Sequence, residues 1–154
     1  ILTFTPELRQ RFFALSPELR ATLGKLHTSY TRRSKALTLR QVMQEILADY
    51  QAVAGAIATD NGELAADAAR RIADHRLPRG GMLPYLPMEK INGKDLGVLP
   101  AMEDAVEGSA RRLAAAAEKG DMGGAAQQFG AMTIGCVACH AHFRGQPGVS
   151  SRIK

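Results

Sequence analysis

A chain of 154 residues with 45% hydrophobic side chains, 5% aromatics and no tryptophan is long enough for one core and fits a single small domain. No apolar run approaches the roughly 18 residues that a membrane-spanning helix needs, so a span of that kind is excluded and a soluble domain is expected. The net charge of +5 is uneven: residues 1–40 hold eight Lys or Arg against Glu7 and Glu18, a balance of +6, whereas residues 41–154 hold twelve against thirteen. Basicity therefore belongs to an N-terminal arm suited to an acidic partner or to plain solvation, and nucleic-acid binding lacks both a motif and a basic domain. The first residue is Ile, which reads as a processed or trimmed start.

The arm, residues 1–36, carries two short helical signals. Thr5-Pro6-Glu7 and Ser16-Pro17-Glu18 each place a capping residue before a proline at the first helical position. Gly24 weakens the second, and residues 28–33 read as a connector. We expect this arm to be an extension separable from the main domain, which spans residues 37–144.

From Leu37 to about Thr59, Leu39, Val42, Met43, Ile46, Leu47, Tyr50 and Val53 recur at three-and-four spacing, the pattern of a helix buried on one side. Asp60-Asn61-Gly62 stops it, and a second helix on Leu64, Ala65, Ala68 and Ile72 follows to His75; so short a connection predicts a hairpin. Residues 76–99 contain Pro78, Gly80, Gly81, Pro84, Pro87, Gly93 and Gly97, too many breakers for a regular element, so they form the long connection. Its apolar members, Met82, Leu83, Tyr85, Leu86 and Met88, predict a loop packed on a cofactor edge or on the end of the helices. Pro100 opens a third helix running to about Lys119, Gly120-Asp121 supplies a stop and a cap, and a fourth helix runs from Met122 to about Arg144. Gly145, Pro147 and Gly148 should end it and leave residues 145–154 as a flexible tail.

The fourth helix carries Cys136-Val137-Ala138-Cys139-His140. A Cys-x-x-Cys-His run is the attachment signature of c-type haem, in which two thiols bond to the porphyrin and the adjacent imidazole ligates the iron. On a helix the three side chains share one face and can meet one flat ligand. A thioredoxin-like reading lacks its βαβ setting, and a zinc knuckle lacks further ligands at the right spacing. His27 and His75 stand alone in polar stretches and are assigned to no site. No catalytic constellation is apparent elsewhere, so the chain does not read as an enzyme.

Four amphipathic helices, a long middle connection, Gly120-Asp121 and the ending Gly135-Cys136-Val137-Ala138-Cys139-His140-Ala141-His142-Phe143-Arg144 resemble the class II cytochromes c, the cytochrome c-prime and c-556 family. The resemblance covers residues 37–144. It implies an all-α, antiparallel four-helix bundle with one covalently attached haem c on the last helix, in a periplasmic bacterial protein that exchanges electrons with redox proteins and often forms a homodimer. Cys136 and Cys139 would be the thioether attachments, His140 the proximal iron ligand and Arg144 the family's basic residue beside it; a cation favoured at a helix C-terminus explains Arg144 equally well. His142 falls off the ligand face. In this family the sixth iron position is met from the first bundle helix, which makes Met43 the candidate distal ligand, against the reading of a methionine filling a core gap. Met102 and Met132 read as pocket lining. A ligating Met43 implies an electron-transfer cytochrome; an apolar distal face would instead imply a five-coordinate haem that binds nitric oxide or carbon monoxide. A third possibility is a bundle in which haem is only a structural staple for a partner-binding arm.

Overall fold

The computed structural model describes residues 1–144 and 151–153, and among them it is helical without a strand. Only two isolated bridges occur, Phe4 with Ile153 and Arg33 with Leu77. The helices are α1 (Pro6–Ala14), α2 (Pro17–Lys25), α3 (Leu39–Ala58), α4 (Gly62–Ala73), α5 (Gly93–Gly97), α6 (Leu99–Glu103), α7 (Ser109–Glu118) and α8 (Met122–Phe143).

Local chemistry sets most of these boundaries. The Thr5 hydroxyl accepts from the Leu8 amide and Ser16 does the same for Leu19, so each proline sits where its missing N–H leaves no unsatisfied partner. At α3, Thr38 and Gln41 form a reciprocal capping box, with the Thr38 amide donating to Gln41 Oε1 at 2.8 Å. Asn61 caps α4 and Asp121 caps α8. The third expected helix is present from Leu99 to Glu118, but not as one uniform rod. Its middle five residues, Asp104–Gly108, widen into a π turn between α6 and α7.

Two apolar clusters hold these helices together. In the first, α3 packs on α4, α4 on α7, and α7 on α8 around Val53, Ile72, Leu113 and Met132, with alanines filling most other buried positions. Small side chains let these helices approach closely, and this displaces Leu64, expected on the buried face of α4, to the rim, where it is 42% exposed. Met132 likewise departs from its expected place: it is buried in this cluster and is not among the residues that line the cleft between α3 and α8.

The second cluster overturns the expectation of a separable arm. Phe4, Leu8, Phe12 and Leu23 are buried against Leu86, Met88, Leu96, Leu99 and Phe143, so residues from the arm and from the middle connection share one core. Burying each such side chain contributes about 1.5–3 kcal/mol, more than two nine-residue helices gain by themselves. The connector is tied down too. Thr31 bonds to the Asp74 carboxylate through both its amide and its hydroxyl, and Arg32 Nε donates to the Asp74 carbonyl at 2.8 Å. The described part of the expected flexible tail is also anchored, since the Thr5 amide donates to the Arg152 carbonyl at 2.9 Å. Gly145, Pro147 and Gly148 lie outside the described residues; α8 ends at Phe143, and Arg144 leaves it with extended backbone.

A cleft between two helices as the candidate functional site

α3 and α8 meet at Tyr50. Its ring lies 4.6 Å from that of Phe129, and its hydroxyl is 2.9 Å from Thr133 Oγ1. Because the Thr133 hydroxyl donates its proton to the Phe129 carbonyl at 2.8 Å, Tyr50 is the donor between the two. From this contact the N-terminal half of α3 and the C-terminal half of α8 face each other across a cavity of about 480 Å³, within the range of small-molecule and cofactor sites.

Leu39, Met43, Ile46 and Leu47 form one wall, and Cys136, Cys139 and His140 the facing one. Met102 and Val106, from α6 and the π turn, close a third side. Gly135 makes that side possible: a Cβ there would come within 3.0 Å of Ala105 and 2.9 Å of Val106. With glycine at 135, α8 lies directly against the π turn. Met43 and His140 are each seven residues, or two helical turns, from the Tyr50–Thr133 contact, so they stand at about the same level of the cleft.

The lining is overwhelmingly apolar. Met43, Leu47 and Val137 are large hydrophobic side chains that remain 37%, 52% and 64% exposed, and all three line this cavity. An exposed apolar surface gathered in one concave place marks a binding site rather than ordinary surface scatter.

The two thiols are not paired in a disulfide. Burial, and after it the Glu107 carboxylate, pushes both upward, Cys139 to about 11, so at neutral pH both are uncharged. A thiolate is the reactive form, and its fraction grows as pH rises toward the thiol's pKa. With the thiols free, alkylation followed by mass spectrometry is therefore expected to be slow at pH 7, and to quicken steadily toward pH 11. Rapid labelling of Cys139 at neutral pH would contradict this electrostatic picture.

Other expected site residues fall out differently. Met102 lines the cleft, so it is a second thioether within the same cavity. Arg144 does not line it: the side chain is exposed, and its backbone amide caps α8 by donating to the His140 carbonyl at 3.0 Å. His142 is exposed, as its spacing implied, and ties α8 to α5 through Asp95 Oδ1 at 3.0 Å. Within the middle connection, Leu77, Pro78 and Met82 reach the cleft, whereas Leu86 and Met88 are buried in the second cluster.

His27 and His75 are not isolated, contrary to expectation. Both line the inner part of the cleft together with Glu107 from the π turn. No short motif joins positions 27, 75 and 107. Their meeting depends on the packing of the arm and on the π turn, neither of which the sequence pattern revealed. Comparison with protein-family models, curated proteins and solved structures returned no match to the chain.

Proposed function

We propose that the chain is a monohaem c-type cytochrome, built as an antiparallel four-helix bundle, that carries single electrons between periplasmic redox proteins. The observation that carries this reading is the cleft: the two thiols and the imidazole of the Cys-x-x-Cys-His run share one apolar wall, and Met43 stands at the level of His140 on the wall opposite. That donor set fits a flat, mostly apolar macrocycle held by two thioethers, with a nitrogen and a sulfur available to its metal.

In this reading Cys136 and Cys139 would hold the haem through thioethers, and His140 and Met43 would ligate its iron. A haem in the cleft supplies a one-electron iron couple. The surrounding residues set its character: Leu39, Ile46, Leu47 and Val106 exclude water, and a thioether beside an imidazole raises the potential. A carboxylate next to the cleft favours the more positive oxidation state, so Glu107 opposes that rise as long as no cation is bound beside it. Exposed Val137 and nearby Ile134, 71% exposed, give the cleft mouth an apolar rim on which a redox partner could dock.

The test is the absorption and electron paramagnetic resonance spectra of the purified protein in both oxidation states, with and without carbon monoxide. Low-spin spectra and slow gas binding are expected. A high-spin, five-coordinate iron that takes up carbon monoxide at once would replace this reading with that of a gas-binding cytochrome of the same fold.

A further inference from the structure

Three residues far apart in sequence converge at the inner part of the cleft, and two of them arrive through uncommon backbone. His27 sits at the end of α2 with φ 55°, a left-handed conformation that costs a non-glycine residue free energy. Glu107 lies in the π turn, a rare backbone feature that is frequent at functional sites. His75 follows α4. One ligand atom from each of the three lies within 4.8 Å of the other two, and the two imidazole rings stand 5.4 Å apart at 66°.

The hydrogen bonds sharpen the picture. His75 Nδ1 is 2.9 Å from the Arg76 carbonyl oxygen, which can only accept, so Nδ1 carries the proton. That leaves His75 Nε2 facing Glu107 Oε1 at 3.0 Å. A neutral imidazole would put a lone pair there against a carboxylate oxygen, so the gap requires a cation or a further proton. Among the described residues Glu107 Oε2 has no hydrogen-bond partner, and the side chain is only 9% exposed. A buried carboxylate oxygen left without a partner carries an uncompensated desolvation cost, which a bound cation would relieve.

We propose that His27, His75 and Glu107 form a site for a first-row divalent transition-metal ion. Two imidazoles and one carboxylate, with no thiolate, suit zinc and its neighbours. The Arg76 carbonyl supplies the outer-sphere hydrogen bond that orients a ligating histidine. An ion between His75 Nε2 and Glu107 Oε1 takes the place of the proton there, and the half-buried His27 ring rotates inward to complete the set. Three protein ligands leave a coordination position facing the cleft, so the ion is accessible to small molecules there. The inference does not rest on haem: it uses none of Cys136, Cys139, His140 or Met43.

The experiment is isothermal titration of the full chain with Zn²⁺ after chelator dialysis, any free thiols having first been alkylated so that Cys136 and Cys139 cannot compete. One saturable Zn²⁺ per chain is expected, together with a rise in unfolding temperature on binding. Glu107→Gln keeps the side-chain shape, and His27→Gln alters a half-buried position; each should weaken binding about 10-fold or more and abolish the thermal shift. Circular dichroism of both variants checks that helicity is retained. Absence of saturable binding would overturn the site and leave a proton alone between His75 and Glu107. Binding unchanged in both variants would overturn it as well, by putting the ion elsewhere, with the exposed His142–Asp95 pair the first place to look.

Discussion

Met43→Ala is expected to convert the proposed low-spin, six-coordinate haem iron into a high-spin species that binds carbon monoxide readily. On the α3 wall the Met43 thioether stands at the level of His140; Leu39, Ile46 and Leu47 have no atom that can ligate, and the hard amide oxygen of Gln44 suits haem iron less well than sulfur. Sulfur of this kind is neutral and polarisable, and it favours the reduced iron, so its loss should also lower the reduction potential. The fold should survive the change, because Met43 is 37% exposed at the cleft and takes no part in either buried cluster. Absorption and electron paramagnetic resonance spectra of both proteins, with and without the gas, give the result directly. A low-spin spectrum untouched by the substitution would transfer the sixth position to another thioether that lines the cleft, Met102 first and then Met82; Met132, buried in the first cluster, is no longer a candidate.

Deleting residues 1–33 is expected to unfold the part of the molecule built around the second apolar cluster. The deletion removes Phe4, Leu8, Phe12 and Leu23 and strips cover from Leu86, Met88, Leu96, Leu99 and Phe143. At about 1.5–3 kcal/mol for each large side chain returned to water, four such losses rival the roughly 5–15 kcal/mol by which a domain of this size is stable. Thermal and urea unfolding followed by circular dichroism should show lost helicity and a broadened or absent transition. A milder probe, Phe12→Ala, should cost about 3–5 kcal/mol and move the urea midpoint without changing the helices. An unaltered unfolding curve for the truncated chain would mean that the second cluster contributes nothing to the core.

These two predictions also divide what the sequence made legible from what it did not. Several helix starts were readable because each is written in a few adjacent residues: Thr5-Pro6, Ser16-Pro17 and Asp121; the Thr38–Gln41 box at α3 is equally local but went unread, and periodicity placed that start at Leu37. Spacing also put Met43 and the Cys136–His140 run on the apolar faces of their helices, whereas their placement opposite each other was implied only by the family resemblance. The arm was misjudged because helices of nine residues with few apolar positions draw their stability from distant partners, and its charges suggested solvation. Arg32 in fact donates to the backbone carbonyls of Arg71 and Asp74. Leu64 and Met132 were misplaced because periodicity gives a face but not the neighbour that the face meets. Glu107 was invisible as a site residue, since five residues of π turn rotate it relative to an α-helical register, and its two histidines come from elements that only tertiary packing brings near.

The most direct test of the central claim is whether haem belongs covalently to the chain. Full-length protein, produced in a host able to attach c-type haem, should be acid-extracted, separated under denaturing conditions, stained for haem peroxidase activity and weighed by mass spectrometry. The account predicts that colour and one haem's mass stay with the polypeptide, that neither Cys136 nor Cys139 is open to alkylation after unfolding, and that the Cys136→Ala/Cys139→Ala double variant loses the bound haem. A chain with the mass of the bare polypeptide and two titratable thiols would contradict it.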